Sequence, residues 1–332
     1  MRFGRRRKSC IVGNTTLNVD QRVAMSTLFI RHITTYKYRR PVAFGDHWMR
    51  LRPLDSHDQR QVTAELVISP KPKSIRQRQD VFGNRIDIAH FTGRARQLRF
   101  ESTVRLEHFP TDIEELDIEE YARFCPFMYS AEEMPDLVRF IERQSDDPDC
   151  LVEQWTRTFL QDDQSTETRE FLINLTYEIK RIFRHIRRDE KGIQTPLETL
   201  KLRSGSCRDL AVLMIEAVRS LGMAARFVSG YLYIPRDSNE RHVGGGNTHA
   251  WAQVYLPGPG WVDFDPSNGI LGNRDLIRVS VVRDPRQAIP LHGTWIGVRS
   301  DYLGMSVEVD VTTGEAAEAE KASGKFAPRT AG

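Results

Sequence analysis

The sequence predicts an α+β protein in two domains: an N-terminal antiparallel β-sandwich-like unit, then a unit in which helices pack on an antiparallel sheet. Three observations carry this. Short runs of alternating apolar and polar residues fill the chain from Leu28 to about Pro110. Amphipathic helical spacing replaces them from about Thr111 to Gly222, and strand patterns return after Ala225. Strands and helices therefore come in blocks, not in alternating β-α units. At 332 residues the chain also exceeds the roughly 250–300 at which a single core stops growing.

Taken in order, residues 1–26 open with the basic run Arg5–Lys8 and continue as "SCIVGNTTLNVDQRVAM". Polar residues interrupt this stretch, so it lacks the apolar centre of a signal peptide. It is expected to be a solvated, disordered extension or a mis-assigned start, with Met25 as the alternative first residue. Residues 27–110 form the β-rich domain. "LFIRHITTYKYRRPV" alternates at period two and ends at a proline; "WMRLRPL", "QVTAELVISP", "RIDIAHF" and "LRFESTVRLEHF" repeat the theme between turn signals. The Arg-rich "SIRQRQD" reads as a solvated strand face, with an acidic partner as the alternative.

Residues 111–165 read as a helical linker. The carboxylates of "DIEELDIEEYARF" are too dense to suggest an acid–base pair and read as a solvated face. "MPDLVRFIERQ" and "CLVEQWTRTFLQ" have helical spacing. The core is expected over 166–311. It begins with a helix, "ETREFLINLTYEIKRIFRHI", with Phe171, Leu172, Leu175, Ile179, Ile182 and Phe183 on one stripe. In "TPLETLKLRSG", Thr195 is an N-cap, Pro196 stands at N1 and Glu198 closes a capping box; Gly205 is expected to stop that helix or turn the chain. The next helix starts after Ser206, buries Leu210, Leu213, Met214, Ala217, Val218 and Leu221, and ends at Gly222. Three strands follow, "ARFVSGYLYIP", "HAWAQVYLP" and "GWVDFDP". Residues 312–332 are of low complexity and are expected to be disordered.

Composition narrows the function. A net charge of +3 does not call for nucleic acid or a membrane surface, and no apolar run approaches the roughly 18 residues of a spanning helix. The four cysteines, Cys10, Cys125, Cys150 and Cys207, form no Cys-x-x-Cys pair, which suits neither a zinc site nor a disulfide framework. A reducing, cytoplasmic setting is expected. The glycines of "VGGGNT" lack the strand–turn–helix order, the Lys and the Ser/Thr of a phosphate-binding loop.

A lone cysteine is usually a small core residue, but Cys207 lies in the first turn of a helix. Unpaired N–H groups and the helix dipole favour an anion there, and Arg208 adds positive charge, while Asp209 at N3 is placed to cap. A thiolate needs a proton partner. His249 opens a strand 42 positions later, and His242, in the loop before the glycines, is its rival. The imidazole needs an acceptor in turn. Asp263 and Asp265 fall on the same face of one strand, so alternation leaves both open; Asp265 sits at the strand end, where side chains converge. Trp251 shares a strand face with His249 and is placed to shield a site. Trp261, Tyr231 and Tyr233 read as core before they read as cleft lining.

"SGSCRDLAVLMIEAVRSLGMAARFVSGYL", "THAWAQVYLPGPGWVDFDPSNG" and "QTPLE" resemble the transglutaminase-like superfamily, whose core is papain-like. "HITTYKYRRPV", "LRP" and "DVFGN" resemble the β-rich domain preceding that core in a bacterial branch described as cysteine proteases. The resemblance implies a nucleophile at Cys207, a base at His249 and a third member at Asp265. It implies attack on a carboxamide or peptide bond of a peptide or protein, and a thioester resolved by water or by an amine. The backbone N–H of Cys207 would serve the oxyanion, with Arg208 and Trp251 as possible site-lining residues; no second donor stands out. No EF-hand loop is present, so calcium dependence is not implied, and no metal or cofactor is expected. The alternatives are a peptide-binding scaffold without turnover and an amine-accepting cross-linking enzyme.

Overall fold

The computed structural model describes residues 25–111, 116–161, 166–188, 192–234 and 246–313. The N-terminal strands are β1 (Ser26–Met49), β2 (Gln59–Ser69), β3 (Ser74–Gln79), β4 (Arg85–His90) and β5 (Arg94–His108), ordered β2-β5-β1-β4-β3 in an antiparallel sheet. β1 does not stop at Pro41 as the alternation suggested. The β5 ladder is interrupted between Lys37 and Val42, so a residue without an N–H is tolerated there and the strand continues to Met49. β3 is exposed along its length, and Arg78 from it lies over the Trp48 ring at 4.4 Å.

The second unit contains α1 (Met134–Ile141), α2 (Leu151–Arg157), α3 (Thr168–Ile182), β6 (Arg184–His185), α4 (Pro196–Leu202), β7 (Ser204–Gly205), α5 (Cys207–Ser220), β8 (Ala225–Leu232), β9 (His249–Leu256), β10 (Gly260–Asp265), β11 (Ile270–Leu271) and β12 (Leu276–Val282). Its sheet runs β11-β10-β9-β8-β12, all antiparallel. One face carries the helices. The other carries the N-terminal sheet, through Leu28, Ile30, Val104 and Leu106 against Tyr231, Ile277 and Val279. Cover on both faces explains why every residue of β12, and of β9 from His249 to Val254, is buried.

The helix α5 is the axis of the core. The stripe expected from its spacing is buried, and so are Ala211, Val212, Ile215, Glu216 and Arg219, because α1 to α4 cover the rest of it. Glu216 and Arg219 are tolerated there because they pair at 3.0 Å and bond to backbone: Glu216 accepts from Gln144 N, and Arg219 donates to Phe140 O. Gly222, at φ 84°, ends α5 in a left-handed cap, with Met223 N donating to Val218 O.

Two strands change the expected domain boundaries. β13 (Leu291–Ile296) and β14 (Tyr302–Thr313) leave the core and pair with β1, completing a seven-stranded N-terminal sheet. The segment 291–311, assigned by sequence to the core, thus belongs structurally to the first sheet. The linker helices α1 and α2 bury Leu137 and Val152 in the core they were expected only to precede. Residues 1–24 and the tail beyond Thr313 lie outside the described residues.

Candidate active site

The segment entering α5 is fixed from three sides. The Asp209 carboxylate accepts from Ser206 N and Ser206 Oγ, both at 2.8 Å, from Gln194 N at 2.7 Å and from Arg188 at 2.9 Å. Its charge is therefore spent on capping and pairing and is not aimed at the neighbouring thiol. Gly205 does not end α4. Arg203 does, in the left-handed conformation at φ 48°. The place of Gly205 is set by contact, since a Cβ there would lie 2.8 Å from the Asp209 Cβ. The capping box of Thr195 and Glu198 forms as the sequence predicts.

Cys207 is the first residue of α5 and is partly buried. His249 is the first residue of β9, and Asp265 is the last of β10, the adjacent strand. His249 Nε2 bonds to Asp265 Oδ2 at 2.7 Å, with both side chains buried. Asp265 also accepts from Ser267 N at 2.8 Å, Asn268 N at 3.3 Å and Asn268 Nδ2 at 2.7 Å. The other ring nitrogen, Nδ1, is buried without a hydrogen-bond partner among the described residues. The Cys207 sulfur and the imidazole each favour the charged form of the other, and Nδ1 is the ring nitrogen that Asp265 leaves for a proton passing between them.

Electrostatics follow from this line of three groups. Burial opposes ionisation of Cys207, but hydrogen bonds from His185 and His249 and the His249 charge outweigh it, bringing the thiol down to about 6. Burial likewise opposes charge on His249; the Asp265 carboxylate and the Cys207 sulfur raise it to about 10. Burial would raise Asp265, yet the imidazolium and its N–H donors hold it below the usual carboxylate range. The stable form near neutral pH is a thiolate–imidazolium pair. Cys125, buried with no such neighbours, is pushed up to about 12.

Asp263, the other candidate, is occupied elsewhere. It accepts from Trp251 Nε1 at 2.6 Å and pairs with Arg278 at 2.8 Å. Arg278 also pairs with Asp58 and donates to Ser56 Oγ at 3.0 Å, both in the N-terminal unit. Trp251 is fully buried and stacks on His249 at 6.0 Å between ring centroids, so it backs the imidazole from inside the fold. Arg208 is partly exposed at the second position of α5 and makes no ion pair among the described residues. Tyr231 is buried between the sheets, Tyr233 packs at the edge of the same cluster, and Trp261 lies under Arg226 at 4.1 Å. His242 lies outside the described residues.

Sequence reasoning missed His185. It read "FRHI" as the end of a helix, but α3 stops at Ile182 with Phe183 buried in an extended conformation. The following β6 pairs in parallel with β7, setting His185 opposite Gly205, two residues before Cys207, whose thiolate its imidazole favours. No local signal marked the change, because Phe183 and Ile186 stand three apart and keep the helical spacing of the preceding stripe.

Comparison with known proteins agrees with this architecture. Residues 28–107 match the bacterial transglutaminase-like N-terminal region, and residues 154–266 match the transglutaminase-like superfamily. An uncharacterized protein of Mycobacterium tuberculosis is 31% identical over 296 residues, covering 85% of this chain and 91% of that protein. One from Mycobacterium leprae is 35% identical over 113 residues, 34% of this chain and 40% of that protein. The crystal structure titled "Putative Cysteine Protease from Cytophaga hutchinsonii" superposes with a TM-score of 0.65 at 17% identity, covering 87% of this chain and 91% of that one, which shows a shared fold. On these grounds the chain belongs to the transglutaminase-like superfamily, with that superfamily's bacterial N-terminal region ahead of its core.

Proposed function

We propose that the protein is a cysteine hydrolase of amide or peptide bonds, with Cys207 as nucleophile, His249 as base and acid, and Asp265 as the group that orients and charges the imidazole. One observation carries the reading: the His249 imidazole is held by Asp265 through Nε2, leaves Nδ1 unpartnered, and is coupled electrostatically to the Cys207 sulfur. The Cys207 thiolate adds to the carbonyl carbon. The leaving amine departs with the proton from His249 Nδ1, and the acyl group remains on sulfur. A water molecule, deprotonated by His249, then cleaves the thioester and restores the thiol. The substrate is a peptide or protein. A reducing, cytoplasmic setting belongs to the same proposal, because a thiol ionised at neutral pH must stay reduced to act.

The test compares iodoacetamide alkylation of Cys207, Cys125 and Cys150 from pH 5 to 9. Cys207 is expected to react fastest, with a midpoint near 6, and His249→Ala is expected to remove the advantage. Alkylation of Cys207 no faster than that of exposed Cys150 sinks the enzyme reading and favours a peptide-binding scaffold. Turnover of a peptide library with and without an added amine then separates hydrolysis from cross-linking.

A further inference from the structure

The proposed chemistry leaves one role unfilled. Addition of sulfur to a carbonyl puts a negative charge on oxygen, and such sites aim two or more preorganised donors at it. The backbone N–H of Cys207 is one. It lies in the first turn of α5, where N–H groups have no intrahelical acceptor. His249 is not the other, since Asp265 holds its Nε2 and the proton at Nδ1 is the one the leaving amine takes.

We propose that His185 is the second oxyanion donor: its imidazole N–H, with the Cys207 backbone N–H, takes the negative oxygen formed when the Cys207 sulfur adds to a carbonyl. The assignment rests on Cys207 being the nucleophile. Three features support it. The two-residue parallel ladder of β6 and β7 clamps His185 beside the segment leading into α5, with Arg184 N donating to Arg203 O and Ile186 N to Gly205 O, each at 2.9 Å. That register sets His185 opposite Gly205, two residues before the nucleophile, near enough for its imidazole to favour the Cys207 thiolate. His185 is only partly buried, whereas His249 is 1% exposed. No carboxylate pairs with it among the described residues, so it is not set up as a second His249.

Charge moves in the manner this geometry serves. Before reaction His185 donates to the thiolate. As the S–C bond forms, the carbonyl π pair moves to oxygen, and the sulfur ceases to be a good acceptor. The donor then follows the charge to the adjacent oxygen, a stronger acceptor. No proton is transferred in this step, and the one later taken by the leaving group comes from His249. The interaction is stronger in the transition state than before it, which is the condition for catalysis.

Two reagents isolate the effect in the full-length protein without a known substrate. p-Nitrophenyl acetate acylates a thiolate through an oxyanion; iodoacetamide alkylates it by direct displacement without one. Acetylation and alkylation at Cys207 are followed by mass spectrometry in wild type, Cys207→Ser, His185→Ala and His185→Gln. His185→Ala is expected to slow acetylation by about tenfold or more beyond any change in alkylation, and His185→Gln, which keeps an N–H donor, to recover most of the difference. Equal slowing of both reactions would leave His185 as a thiolate partner only and overturn the assignment; so would no change in either. A wild-type Cys207 that is neither acetylated nor alkylated faster than Cys150 is a different failure. It removes the nucleophile, and the His185 role with it, before any His185 variant is measured.

Discussion

Asp263 and Asp265 stand two residues apart on one strand, on one face, and both are buried. They do opposite work. Asp265 meets an imidazole, so its charge acts on a group that gains and loses protons. Asp263 meets a guanidinium and an indole, neither of which titrates in the working range, so its charge stays where it is. Burial pushes both carboxyls up. At Asp265 the imidazolium and the N–H donors of Ser267 and Asn268 prevail. At Asp263 the Arg278 guanidinium pulls against the same penalty, and is itself shared with Asp58. The difference teaches that the partner decides the role of a buried carboxylate: a titratable one makes a switchable charge, a permanent one makes a joint between domains.

The contrast is open to experiment. The largest effect is expected at Asp265: Asp265→Ala should cut Cys207-dependent turnover by about 10²-fold or more and move the midpoint of alkylation upward from about 6. The sign follows from the pair. Loss of the carboxylate removes what raises His249, and a neutral imidazole no longer holds the thiolate. In the intact protein the lowered Cys207 contributes stability that is present above its ordinary value and lost as pH falls through about 6. The raised His249 contributes stability that is present below its ordinary value and lost as pH rises through about 10. The ion pair therefore spans the window between them.

Asp263→Ala should reverse the balance. It leaves Arg278 with Asp58 alone and the buried Trp251 N–H unpaired, and is expected to cost about 2–3 kcal/mol in denaturant unfolding, while Cys207 alkylation, measured where the variant is folded, keeps its midpoint. A variant that shifts the midpoint without destabilising the protein would erase the distinction drawn above. The smallest effect sharpens the background. Thr195→Ala removes the capping box of α4, which contains neither carboxylate, and should cost about 1 kcal/mol with alkylation unchanged.

What the sequence revealed, and what it hid, follows the range of the interactions involved. The caps at Thr195, Ser206 and Gly222 are local and were legible, as was the placement of Cys207 at a helix start and of His249 and Asp265 at strand ends. Asp263 and Asp265 could not be separated by alternation, because period two puts both on one face; only the partners, Trp251 and Arg278 against His249, divide them. β12 was not read as a strand: it is buried on both faces, and its Arg278 breaks the apolar run for the sake of a contact with distant Asp58. β13 and β14 carry exposed residues such as Ile296 and Leu303, so their patterns hid a pairing with β1 that no local signal specifies.

That last pairing has a consequence for how the molecule comes into being. Leu28 lies opposite Thr313, so the earliest and latest described strands are neighbours and everything between them is, in effect, a loop inserted into their sheet. During synthesis the first strand must wait, one edge unsatisfied, until nearly three hundred further residues have left the ribosome. The β-domain cannot mature before the core it supports, and excising it would uncover the core face that carries Tyr231, Ile277 and Val279. Such long-range closure makes for slow assembly, and it means that a polypeptide cut short before the final strands would lack the finished sheet behind β8 and β12.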